Sequence, residues 1–363
     1  MTQRIRLSLE AWRRLKSSIK GPNQPGWRVH LAYFLHGFLH SSLFTLQNAS
    51  YADSLKSAVP PPPLFLLGFW RSGTTLLHEF FCCDSQFGFP STYACLNPSH
   101  FLLTEQWASA RQSAATKRPM DNMSFSWTSP QEDEFALLAL GAPSPYEALI
   151  APSLLRQPGY LLDLNTRTSE EQTCWVATLQ SFLSLLTVQQ RKPMVLKSPP
   201  HGFKLPQLLE LFPRARFLLI ERNPYEVFAS NVKLWRTLLD LYAVEPWSVE
   251  DIESFVLEAY VFHEEAISRG ARLASPGQFV RVRYEDFVRD PAKEMKRLYD
   301  DLHLTWSDTL QTAIEKHIQG TAGHTRNRFV LSSDQRERID RHWGMHIQEK
   351  GYKFSDEYIQ VKT

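Results

Sequence analysis

Residues Gly68 to Phe81 read GFWRSGTTLLHEFF. Gly68 and Gly73 stand at the glycine spacing of the G-x-x-x-x-G-K-[ST] pattern, and Thr75 fills its hydroxyl position. The lysine position holds Thr74, and a cation stands instead two residues before the second glycine, as Arg71. Glycines let backbone N–H groups approach an anion closely, and a helix starting near Ser72 directs its positive end to the same place. Arg71 adds a formal charge, and Thr74 and Thr75 add hydroxyl donors. Such a loop can hold a phosphate or sulfate group without the lysine that reaches the terminal phosphates of ATP.

A second anion site is possible in ERNPYEVFASNVKLW, Glu221 to Trp235. Asn223 suits a helix N-cap and Pro224 the first helical position. Ser230 then falls about two turns into that helix. Arg222 at the preceding strand end and Ser230 could bind an anion together, or Arg222 could pair with a carboxylate such as Glu226.

Four short apolar runs must carry these residues: Leu64 to Phe69, Pro193 to Lys197, Ala215 to Arg222 and Gln278 to Tyr284. Helical patterns separate them, which predicts an α/β fold: a three-layer, P-loop-like parallel sheet flanked by helices. Ligands of such sheets bind beyond the carboxyl ends of the strands, where the residues above stand. The proline run after Val59 marks the entry to an α/β domain over residues 61–363. Residues 1–60 read as an N-terminal helical extension, and 100–192 as helices covering an acceptor pocket.

The chain has 363 residues and a net charge of +2. Residues 1–56 hold eight Lys/Arg against two Asp/Glu, or +6, which leaves −4 for the rest and no general nucleic-acid surface. His30 to Leu46 is apolar but at the lower limit for a membrane span. It reads as a helix packed on the domain or lying on a membrane surface. Four cysteines lack metal-binding spacing and read as reduced thiols of a cytoplasmic protein. No carboxylate cluster is spaced to bind a metal.

Together these motifs resemble the sulfotransferase superfamily, which uses 3′-phosphoadenosine-5′-phosphosulfate (PAPS). RSGTT (Arg71, Ser72, Gly73, Thr74, Thr75) looks like its phosphosulfate loop, and Arg222 with Ser230 like its 3′-phosphate motif. RYEDFVRDP resembles the segment near the adenine, with Tyr284 in the matching place. VLKSPPH resembles the segment carrying a catalytic lysine, here Lys197. GHTRNRF (with Arg326, Asn327 and Arg328) resembles the late basic loop that clamps the 3′-phosphate. The resemblance covers about residues 62–329 and looks closest to the bacterial branch. It implies sulfuryl transfer from PAPS to a hydroxyl or amine of a small-molecule, lipid or glycan acceptor, leaving adenosine 3′,5′-bisphosphate, with no metal. The other readings are a P-loop small-molecule kinase and a nucleotide-binding module without activity.

The sequence departs from the family's patterns at Leu76 and Pro199, which stand where cytosolic members often carry Trp and His. FPSTY (Phe89 to Tyr93) lacks the glutamate that other branches use. The resemblance therefore does not fix the general base. His201 is the first candidate, on an extended path after Lys197 that turns both to one side. His78 comes second, and then Glu132, for which Ser129-x-x-Glu132 offers a competing role as a capping box.

Overall fold

The computed structural model describes residues 5–19, 26–111, 116–117, 124–321, 328–354 and 359–362. The elements used below are α1 (Leu9–Ser18), α2 (Trp27–Ser50), β1 (Leu64–Leu67), α3 (Thr74–Phe81), α4 (Glu134–Leu140), α5 (Ser169–Gln190), β2 (Val195–Lys197), β3 (Arg216–Glu221), α6 (Pro224–Tyr242), α7 (Val249–Leu273), β4 (Phe279–Arg283), α8 (Tyr284–Arg289), β5 (Phe329–Ser332), α9 (Ser333–Glu349) and β6 (Ile359–Lys362). The chain divides into two compact units. One comprises residues 1–61, 88–196 and 234–252, and the other 62–87, 197–233 and 253–363.

The second unit is built on a parallel sheet in which β3 pairs with both β1 and β4. The four residues of β1 are at most 2% exposed. Burying each such side chain is worth about 1.5–3 kcal/mol, which is why unbroken apolar runs mark these strands. All four expected strands are present, each ending at or beside a residue singled out above. β5 pairs in parallel with β6, and α9 connects them.

A charged cluster ties the end of β3 to two helices. Lys350, which caps α9, places Nζ 2.9 Å from Glu221 of β3 and 2.5 Å from Glu264 of α7. Arg281 of β4 also pairs with Glu221, at 2.9 Å. Burial alone would raise the Glu264 carboxyl, but His263 and Lys350 outweigh it and hold the pKa at about 2, against an ordinary 4.5. The folded value is the lower one, so this stabilisation is present above pH 4.5 and is lost as pH falls towards 2. We expect Lys350→Met to cost about 3 kcal/mol at neutral pH, and the gap from the parent to narrow below pH 4. Urea unfolding at both pH values measures this, and a gap independent of pH would refute it.

In the first unit the N-terminal helices are bound in closely. Trp12 of α1 stacks on Tyr33 of α2 at 4.1 Å, and Ser8 N–H donates to the Ala139 carbonyl of α4 at 2.7 Å. Arg14 pairs with Glu147 at 2.6 Å, and Arg167 pairs with the other oxygen of the same carboxylate at 2.9 Å. Part of the basic charge of the N-terminus is thus neutralised inside the fold. α2 extends beyond the segment read from sequence, to Trp27 and Ser50.

The Ser129–Glu132 capping box does not form. α4 starts at Glu134, with Asp133 at its N-cap position and no side-chain cap. Thr92 takes the Ser129 carbonyl with both its N–H (2.7 Å) and its hydroxyl (2.9 Å), and Pro130 bridges to Ser91, so this stretch stays outside the helix.

Candidate active site

The loop from Gly68 to Gly73 owes its shape to two glycines and one strained residue. A Cβ on Gly68 would lie 2.8 Å from the Ile220 carbonyl oxygen. Arg71 sits in the left-handed region with φ 68°, an uncommon conformation for a side-chain-bearing residue. Gly73 has φ 107°, and a Cβ there would lie 2.5 Å from the ring of Tyr284. α3 then begins at Thr74 with no side-chain cap on its first turn. Its leading N–H groups face the loop, the arrangement that attracts anions.

Residues from β3 and α6 hold this loop. The Arg71 Nε donates to Ser230 Oγ at 2.9 Å, and Arg222 Nη1 donates to the Arg71 carbonyl at 3.3 Å. Asn231 was not singled out from sequence, yet its Nδ2 donates to the carbonyls of Trp70 (2.7 Å) and Val227 (2.8 Å). Its position directly after Ser230, one turn beyond Val227, is the signal available in the sequence. Arg222 also pairs with Glu226, the alternative its position allowed, and its guanidinium lies 4.4 Å above the Tyr284 ring. The expected cap is present: α6 begins at Pro224, and Asn223 Oδ1 accepts from Tyr225 N–H at 3.1 Å.

Lys197, 2% exposed at the end of β2, donates to Thr75 Oγ1 at 3.3 Å. A buried cation therefore stands at the first turn of α3. The loop thus brings together Arg71, Ser72, Gly73, Thr74, Thr75, Lys197, Arg222, Ser230 and Tyr284. Two buried donors in this group, Ser72 Oγ and Arg222 Nε, have no hydrogen-bond partner among the described residues. With the uncapped helix and two arginines they suit a ligand that presents several anionic oxygens.

The remaining site expectations fare differently. The extended path after Lys197 is not found: Pro199–Lys204 is a 3₁₀ helix, which the fixed φ of two prolines accommodates at its first positions. His201 is buried there with its ring edge-on to Phe65, centroids 5.2 Å apart. His78 is buried in α3. In the first unit, the Tyr146 hydroxyl donates to Glu132, which is half-buried. Arg326 and Asn327 lie outside the described residues, and Arg328 is exposed beside the start of β5.

Of the aromatic residues between 100 and 191, Trp175 and Tyr146 are core, while Trp107 and Tyr160 stack under Arg111 and Arg167. The Phe125 side chain lies outside the described set. None of the four cysteines is in a disulfide. Among the described residues, no group of three or more His, Cys, Asp or Glu could hold a metal ion.

An anion loop after β1, with a second cation at the end of the neighbouring β3, defines a nucleotide-anion-binding α/β protein. Residues 62–308 match the sulfotransferase family model, and the chain belongs to that family. It is 34% identical over 328 residues to the omega-hydroxy-beta-dihydromenaquinone-9 sulfotransferase Stf3 of Mycobacterium bovis, a match covering 90% of this chain and 84% of the relative. Its fold resembles the crystal structure of sulfotransferase STF9 from Mycobacterium avium (TM-score 0.74, 17% identity, 96% and 93% of the two chains). It also resembles STF1 from Mycobacterium tuberculosis (TM-score 0.64, 19% identity, 92% and 91%). The protein is thus an enzyme that transfers a sulfuryl group from PAPS to an acceptor. The kinase and inactive-module readings fall with that assignment.

Proposed function

We propose that the acceptor is a terminal hydroxyl on a long apolar molecule of the prenylated-quinol type, sulfated by a cytoplasmic enzyme in peripheral contact with the membrane. The observation that carries this reading is the 34% identity, over 90% of the chain, to a relative named for an ω-hydroxylated dihydromenaquinone. Four cysteines outside any disulfide suit a reducing compartment. Among the described residues, no helix is long and apolar enough to cross a membrane.

In the proposed mechanism the acceptor oxygen attacks the sulfur of PAPS. The bond from sulfur to the bridging oxygen breaks, its electron pair stays on the 5′-phosphate, and a base takes the acceptor proton. Arg71, Ser72, Gly73, Thr74 and Thr75 hold the phosphosulfate. Lys197 faces the bridging oxygen, where negative charge grows during transfer. Arg222 and Ser230 take the 3′-phosphate, assisted by Arg326, Asn327 and Arg328, and Tyr284 flanks the adenosine. The base is sought among Glu132, His78 and His201. His78 and His201, at most 1% exposed, lie in the same compact unit as the loop and Lys197.

Labelled PAPS with a hydroxylated prenyl quinol in detergent tests the acceptor, with mass spectrometry of the product. Transfer to that hydroxyl supports the reading. Transfer confined to sugars or short phenols from a mixed acceptor panel overturns it.

The 3′-phosphate assignment makes a separate prediction. Arg222→Ala and Ser230→Ala are each expected to weaken PAPS binding roughly tenfold or more, since a hydrogen bond to a charged group is worth about 1.5–3 kcal/mol. Adenosine 5′-phosphosulfate, which lacks the 3′-phosphate, should change much less in affinity, by only what these residues contribute through Arg71. Equal losses for the two nucleotides would place these residues elsewhere.

A further inference from the structure

Helix α2 presents its apolar residues to water. Trp27, Leu31, Phe34, Leu35, Phe38 and Leu39 are 45–69% exposed. Their spacing of three, four and seven residues gathers them on one face. The opposite face carries the buried residues Tyr33, Gly37, His40 and Gln47.

The rotation of the helix is fixed by its inward contacts. Gln47 donates to the Pro98 carbonyl at 3.0 Å and accepts from Leu102 N–H at 2.9 Å. A Cβ on Gly37 would lie 2.9 Å from the backbone of Leu9 in α1, so α1 and α2 touch backbone to backbone. Turning α2 to bury its apolar face would break all of these contacts. The face therefore stays outward, as a patch of several hundred Å², at the upper end of what monomers expose.

Charge selects its occupant. Arg28 is the only Lys, Arg, Asp or Glu in α2, and it stands exposed beside Trp27. On α1 and just before it, the exposed charges are Arg6, Arg13 and Lys16 against Glu10. A convex apolar stripe about 18 Å long, ending in Trp and flanked by cations, matches the interfacial zone of an anionic bilayer better than a groove on a protein. Since no described helix is long and apolar enough to cross a membrane, the geometry is that of a helix lying in the surface.

We propose that the outward face of α2 is the docking surface of this enzyme for anionic lipid bilayers. The proposal deepens the peripheral-membrane reading given above and rests on it. It also moves the main attachment from the N-terminal basic charge, part of which Glu147 neutralises, to the apolar residues of one helix.

Flotation of the full-length chain on phosphatidylcholine vesicles, with and without phosphatidylglycerol, tests it with Leu35→Glu and Phe38→Glu. The parent should float with vesicles that contain phosphatidylglycerol. Each variant should lose roughly ten- to hundredfold in partitioning, the value of burying one large apolar side chain. Thermal stability and its increase with adenosine 3′,5′-bisphosphate should not change, because both residues are exposed. If parent and variants float equally, the α2 assignment fails while the membrane reading stands. If the parent does not float at all, both fail. If the parent does not float and is instead a dimer that Phe38→Glu dissociates, the face is a surface for a second copy and the proposal is overturned.

Discussion

Replacing Lys197 by alanine is expected to lower kcat roughly hundred- to thousandfold while affinity for adenosine 3′,5′-bisphosphate stays nearly unchanged. The ammonium is 2% exposed and within hydrogen-bond reach of Thr75 on the first turn of α3. A charge fixed there needs no solvent rearrangement when the bridging oxygen takes up an electron pair, and removal of one such preorganised donor costs about 10²–10³ in turnover. The product nucleotide has already lost the sulfuryl group, so its binding reports the cradle and not the reacting bond. Lys197→Met keeps most of the side-chain volume and controls for packing. Normal turnover in a folded Lys197→Met enzyme, measured at saturating PAPS, would remove Lys197 from the mechanism.

Gly73→Ala is expected to weaken nucleotide binding about a hundredfold. Two costs coincide at this position. The backbone has φ 107°, which an L-residue rarely adopts, and the new methyl group would sit 2.5 Å from the Tyr284 ring. Tyr284 is itself 8% exposed and lies under Arg222, so displacing it disturbs both halves of the anion site. Local strain of this kind costs about 1–3 kcal/mol, and the upper end corresponds to the stated loss. Calorimetric titration with adenosine 3′,5′-bisphosphate measures it, with circular dichroism as the check on folding. Affinity within threefold of the parent would show that the loop and Tyr284 can separate freely.

The anion site was legible because its chemistry stands in short contiguous motifs at the ends of apolar runs. Leu64 to Leu67 reads as a buried strand, so the residues directly after Leu67 lie at the sheet edge. Arg222, Asn223 and Pro224 announce a strand end and a helix start in three residues. Features that depend on distant partners were not legible. Ser129 has the spacing of a capping box, yet Thr92, distant in sequence, claims its carbonyl. Pro199 and Pro200 are compatible with an extended path and with a 3₁₀ turn alike, and the fold selected the turn. The orientation of α2 was hidden because, Tyr33 apart, its inward face carries Gly37, His40 and Gln47, so hydrophobic periodicity points to the wrong side. The Glu221–Glu264–Lys350 cluster joins residues from β3, α7 and the end of α9 that no local pattern relates.

The hydrogen bond from Arg71 to Ser230 couples the two halves of the nucleotide site in free energy. On the proposed assignment each residue serves a different phosphate, yet each hydrogen-bonds the other before ligand arrives. A ligand group that captures the Ser230 hydroxyl releases Arg71 for the other phosphate, and the reverse holds equally, as reciprocity of coupled sites demands. Nucleotides bearing both phosphates gain from this coupling, and fragments bearing one do not. The spent donor still bears both, so it retains the full benefit after the sulfuryl group has gone. Adenosine 3′,5′-bisphosphate is therefore expected to bind more tightly than adenosine 5′-phosphate, which competition titration measures.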